Sequence, residues 1–211
     1  MKVLKILALT FSVALYTATI LAQETKLIPL TTNSEKALEL MRTVMANAEE
    51  FRGDDNPPLL EEILRLDPNF YFAKTYNSLL LENNTYRTNL NNAYENRSNV
   101  SEIEEKIIEA TYQQYINLNT ILADKIIDDL ISKYPEYYQI RLVSADLKND
   151  LKDPYAKDLR YAEILEQNPN SFPALFRRAQ LHFQVDNSVV NFPIEERDLN
   201  LATSFLLKAA S

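Results

Sequence analysis

Side chains able to make or break bonds are scarce in this chain, and none stands beside a suitable partner. His182 is the only histidine, and there is no cysteine. Thiol nucleophiles, thiolate metal sites and structural disulfides are therefore excluded. His182 lies between Leu181 and Phe183 in a helical stretch, where a packed imidazole is a simpler reading than a metal ligand. A Ser-His-Asp system needs its serine exposed in a strained turn, and no serine here is flanked by glycines. Neighbouring carboxylates recur at Glu49-Glu50, Asp54-Asp55, Glu61-Glu62, Glu104-Glu105, Asp128-Asp129 and Glu195-Glu196. Two acids can share glycoside hydrolysis when they flank one bond. Consecutive helix residues point about 100° apart, so these pairs read as solvated faces. Asp54 and Asp55 run into Asn56-Pro57, without the central glycine of a calcium loop. No catalytic residue, cofactor site or metal site is expected.

The scaffold is legible from one count. Gly53 is the only glycine among 211 residues. Phosphate-cradling loops, dinucleotide fingerprints and tight hairpins all need glycine for positive φ or close approach. Helices joined by short polar turns need very little of it, so the composition predicts an all-α fold. With 46% hydrophobic residues the chain is long enough to be held by apolar packing alone.

The N-terminus reads as an export signal over residues 1–22, followed by a linker over 23–31. Lys2 and Lys5 precede an apolar run from Ile6 to Leu21, and Ala22 supplies a small residue before polar Gln23. Removing that segment leaves 20 basic against 30 acidic residues, a net charge of −10 in place of −8. An acidic surface without a basic cluster disfavours nucleic acid and anionic lipid. The expectation is an exported periplasmic or secreted chain, of bacterial envelope type, with no stable membrane insertion after cleavage.

Thr32-Asn33-Ser34-Glu35 reads as a capping box, opening a helix whose Ala37, Leu38, Met41, Val44, Met45 and Ala48 share a face. That helix should stop near Gly53 as its left-handed residue, and Asn56 should cap the next with Pro57 inside it. Ser101 caps another helix from Glu102. Similar helix endings recur at Leu66-Asp67-Pro68, Lys133-Tyr134-Pro135 and Gln167-Asn168-Pro169, the prolines being 67 and then 34 residues apart. A period of 34 in paired helices resembles the tetratricopeptide repeat. Three further positions agree with that family's motif: Ser78, Ala145 and Ala179 are small where two helices cross closely. The set Ala123, Ile127 and Leu130 fits the second helix, whereas Lys157 and Asn56 replace its small residue elsewhere. The family's first-helix aromatic is replaced by Lys74, Arg141 and Leu175.

The resemblance implies a right-handed superhelix of about five antiparallel helix pairs across a repeat domain of residues 32–211. The pairs are placed at 34–52 with 57–66, 70–82 with 86–97, 102–118 with 120–133, 137–149 with 154–167, and 171–185 with 196–210. The apolar face of the last helix (Leu199, Ala202, Phe205, Leu206, Ala209) suggests that further chain would follow. In the family, certain first-helix positions line a concave groove. Here these positions hold Phe72, Thr75, Leu79 and Glu82; Gln139, Leu142, Asp146 and Asn149; and Pro173, Phe176, Gln180 and Phe183. The version of the family that seizes a C-terminal acid carries lysine where this chain has Thr75, Leu142 and Phe176. The resemblance therefore implies a non-catalytic scaffold that binds a peptide or protein segment with an apolar face. Two other functions stay open: glycan binding in nutrient uptake, with aromatics stacking on sugar rings, and recruitment for an enzyme domain beyond residue 211.

Overall fold

The computed structural model describes residues 26–80, 85–183 and 190–210. The export signal expected over residues 1–22 lies outside them. Among the described residues ten α-helices run in order: α1 (Glu35–Glu49), α2 (Asn56–Leu66), α3 (Tyr71–Leu80), α4 (Thr85–Glu95), α5 (Glu102–Tyr115), α6 (Thr120–Lys133), α7 (Tyr138–Asp150), α8 (Pro154–Gln167), α9 (Phe172–His182) and α10 (Leu199–Ala209). Each odd-numbered helix packs most extensively on the even-numbered helix that follows it. Successive pairs then stack, and α3 also reaches α5 directly. Sequential pairing of this kind is consistent with a helical repeat. Among the described residues no helix is long and apolar enough to cross a membrane.

The positions picked out by the proline spacing are buried in the core. Ser78, Ala145 and Ala179 are 4%, 0% and 0% exposed, so each first helix approaches its neighbour closely where its side chain is small. Leu60, Ile63, Ala123, Ile127, Leu130, Tyr161 and Ile164 are buried in the second helices. Lys157 and Asn56, at the small-residue positions, are buried too and must be hydrogen-bonded to be tolerated. The Lys157 ammonium donates to Asn149 Oδ1 at 2.8 Å. Asn56 donates to the Val44 carbonyl and accepts from Asn47, which ties α1 to α2. Arg97, Tyr94 and Tyr112 stack in a column where the second pair meets the third.

Local chemistry departs from the sequence reading at three helix ends. Ser34, rather than Thr32, caps α1 by accepting from the Ala37 N–H; the Thr32 hydroxyl is turned to Asp67. The side chain of Asn56 does not cap α2, being committed to α1 instead. Gly53 is not the left-handed stop of α1. Phe51 takes that role at φ 58°, and the N–H groups of Phe51 and Arg52 close back on Ala48 and Asn47. The strain of a non-glycine residue there is offset by its ring, which packs on Phe172 and Phe176 under the Arg177 guanidinium. Ser101 does cap α5, in a full capping box with Glu104.

Residues 26–33 cross the helices as an extended strap. Ile28 is 1% exposed within the core. Arg42 donates to the Ile28 carbonyl at 2.6 Å, and Thr31 gives both its N–H and its hydroxyl to buried Glu104. Thr32 Oγ1 and the Asn33 N–H both reach Asp67. Burial alone would push the Asp67 carboxyl up, but hydrogen bonds from Thr32, Asn33 and Asn69 outweigh it and hold it below its ordinary value.

Candidate functional site

All five first helices converge on one cavity of about 300 Å³. Its lining comes from α1 (Met45, Ala48, Glu49), α3 (Phe72, Thr75, Tyr76), α5 (Ile107, Thr111, Gln114, Tyr115), α7 (Gln139, Leu142, Val143, Asp146) and α9 (Pro173, Arg177). Ile28 of the strap and Tyr161 of α8 complete it. Cross-array contacts bring the first pair to the later ones. The Tyr138 hydroxyl of α7 donates to Glu49 of α1, and Phe51 just beyond α1 meets Phe176 of α9 with ring centroids 5.0 Å apart.

The walls are mostly apolar, from Ile28, Met45, Phe72, Ile107, Leu142 and Val143. Polar groups are few and distinctive. Gln139 is 5% exposed, and its buried amide lies beside the Tyr138 oxygen, where its hydrogen bond pulls the Tyr138 pKa down against burial rather than receiving that hydroxyl's proton. Its neighbour Tyr138 commits its hydroxyl proton to Glu49 instead. The Tyr161 hydroxyl is also buried, with the Arg177 guanidinium as its hydrogen-bonding neighbour. Arg177 lies near enough to pull the Tyr161 pKa down, but burial dominates and the net shift is upward.

The charges are arranged around these groups. Asp146 is open to the cavity yet ringed by protein. Burial pushes its carboxyl up, against the opposing pull of Arg177 and Lys157. Burial likewise raises Glu49, partly offset by the Tyr138 hydrogen bond. Tyr76 is raised to about 12, by burial first and then by Asp146 and Glu49. Two carboxyl groups thus face one guanidinium, a lining that disfavours an anionic guest.

Phe72, Thr75, Gln139, Leu142, Asp146 and Pro173 of the sequence-derived groove meet here. Phe176 lies outside the lining, stacked on Phe172 and tilted against Phe51. Gln180 and Phe183 do not reach the cavity, and Asn149 instead accepts from Lys157 and from the Val190 N–H. Glu82 and the side chain of Leu79 lie outside the described residues. Sequence reasoning passed over Ile28, Glu49, Tyr161 and Arg177. Tyr161 stands on α8 where the motif that the sequence resembles expects an apolar side chain, and its hydroxyl was the available signal. His182 is a packed imidazole: its Nδ1 accepts from the Asp198 N–H at 3.1 Å and its ring lies against Phe192.

Compared with known protein families, curated proteins and solved structures, the chain matches none.

Proposed function

We propose that this chain is a non-catalytic binding protein of the cell envelope. In this reading it is a tetratricopeptide-type right-handed superhelix that holds a peptide or protein segment in its helical groove. The observation that carries this reading is the convergence of all five first helices on one cavity with mostly apolar walls. Five separately stacked helices supply many modest contacts to a guest, as repeat scaffolds do. The strap adds support, since it is an extended peptide already held against these helices through backbone N–H and C=O groups. A net charge of −8 argues against nucleic acid as the guest.

A sugar is the second reading. It is favoured by Tyr76 and Tyr115 in the same lining as Gln114 and Asp146, aromatic rings together with groups that can pair with hydroxyls.

Peptide display against the purified chain tests the first reading, with Gln114→Trp as the blocked control. Gln114 lines the cavity and otherwise pairs only with Asp150 on the surface, so a bulky ring there should fill the cavity without unfolding the helices. Sequences that bind the parent chain and lose at least about tenfold in affinity for the blocked variant would support the proposal. Recovery of no binding sequence from a folded bait would sink it.

A further inference from the structure

We infer that the cavity is built for a basic side chain of the bound segment, its methylene stem lying on the apolar wall and its charge meeting the Asp146 carboxylate. This inference rests on the segment-binding reading above and names the side chain that anchors the segment.

Asp146 carries it. Its side chain lines the cavity and the residue is exposed there, so a guest can reach it. Among the described residues no donor hydrogen-bonds the Asp146 carboxylate, and no cation forms an ion pair with it. The two nearby cations are engaged elsewhere. The Lys157 ammonium donates to Asn149, and the Arg177 guanidinium lies over the Phe51 ring and beside the Tyr161 hydroxyl. Both pull on Asp146 through space only, while burial works against its charge. A carboxylate enclosed by protein and left without a donor is costly, and a cation bearing N–H donors is the guest that relieves it. Glu49, the second acid of the lining, is already met by the Tyr138 hydroxyl at both oxygens. Tyr76 and Tyr115 share the lining and feel the Asp146 charge. Aromatic rings favour a cation as neighbour over an anion.

The wall selects the rest of the guest. Met45, Phe72, Ile107, Leu142 and Val143 would stay uncovered around a bare ion. Lysine and arginine lay an apolar stem on such a surface and carry their charge at the tip. About 300 Å³ is the low end for a binding pocket and holds one such side chain rather than a length of peptide. An acidic side chain is rejected, because Glu49 and Asp146 outnumber Arg177. The net charge of −8 draws a basic segment from a distance as well.

Titration of the purified full chain tests this without any mutation. The probes are N-acetyl-lysinamide and N-acetyl-argininamide, with N-acetyl-norleucinamide as the uncharged stem. At least one basic probe should bind saturably in the millimolar range, at least about tenfold more tightly than the norleucine probe. Binding should also move the Asp146 carboxyl carbon NMR signal, assigned by its loss in Asp146→Asn. That variant should keep the parent's circular dichroism and bind the basic probe at least about tenfold more weakly. Equal binding of charged and uncharged probes overturns the inference, as does basic-probe binding that persists in folded Asp146→Asn. If display-selected peptides lose affinity for Gln114→Trp yet keep it when their lysines and arginines become norleucine, the inference falls while the segment-binding reading stands. If n-butylammonium binds and neither basic probe nor any display-selected sequence does, the cavity takes a free amine and both fall.

Discussion

The Tyr138 hydroxyl lies 2.9 Å from both carboxylate oxygens of Glu49, across 89 residues of sequence. This contact fastens the first helix pair to the fourth on the edge of the cavity. Burial raises the Glu49 carboxyl, and the Tyr138 hydrogen bond works against that rise. Tyr138→Phe should therefore push it higher. A raised folded pKa means the native state keeps a proton that the unfolded chain releases above about 4.5. Native stability then falls as pH rises from that value through the folded pKa. The deficit of Tyr138→Phe should be small in acid and about 1–3 kcal/mol at neutral pH, as urea melts at both would show. An equal deficit at both would mean that the contact is not what tunes Glu49.

Among the described residues three non-glycine residues sit at positive φ: Phe51 at 58°, Leu118 at 53° and Lys152 at 60°. Leu118 is 81% exposed and follows the end of α5, so little offsets its strain. Leu118→Gly should stabilise by about 1 kcal/mol, raising Tm by about 2–4 °C in differential scanning calorimetry. Phe51→Gly should do the opposite, since it also removes the contacts with Phe172, Phe176 and Arg177. Stabilisation by both substitutions would show that the Phe51 ring contributes nothing to closing the array.

Asp67 is the anchor of the strap, receiving Thr32 and the Asn33 N–H. Its folded pKa is depressed, so its contribution is present above the ordinary value of 3.8 and lost as pH falls through the folded value. Asp67→Ala should cost about 2–4 kcal/mol at neutral pH, charge-assisted hydrogen bonds being worth about 1.5–3 kcal/mol each and not additive. Amide hydrogen exchange should then speed up at Asn33 and Thr31 while α7 and α8 stay protected. Unchanged exchange at both residues would show that Glu104, Arg42 and the burial of Ile28 hold the strap without Asp67.

The helices were legible because their information is local. Ala37, Met41 and Val44 recur at helical spacing, and the proline-bearing turns fixed the phase in which Ser78, Ala145 and Ala179 became close crossings. Phase also placed Phe72, Thr75, Gln139, Leu142 and Asp146 on the helix faces that meet at the cavity. What sequence withheld depends on distance. Neither the hydrogen bonds from Thr31 to Glu104, 73 residues on, nor the approach of Phe51 to Phe176 leaves a periodic trace. Those contacts decide that Glu49 and Arg177 line one cavity and that Ile28 fills its edge. The helix stop was misassigned for a similar reason: glycine is the local favourite at positive φ, but a remote aromatic cluster let Phe51 take the position.

Lys157 shows what the array accepts beside its cavity. It occupies a position where the motif that the sequence resembles prefers a small side chain, is 3% exposed, and has its pKa lowered by burial to about 8 despite the opposing pull of Asp146. Below that value both folded and unfolded chains carry the proton, and the native state bears the desolvation of a buried ammonium. Between about 8 and 10.5 the native state binds fewer protons than the unfolded chain, so stability should rise with pH across this window. Lys157→Met keeps the length of the side chain without the charge. It should be more stable than the parent at neutral pH and should lack the alkaline rise. It should also raise the Asp146 pKa, since Lys157 is one of the two cations holding it down. Urea melts from neutral to alkaline pH check the first two outcomes, and carboxyl carbon NMR of Asp146 checks the third. A variant that keeps the alkaline rise would assign it to another group and leave Lys157 an ordinary surface-like amine.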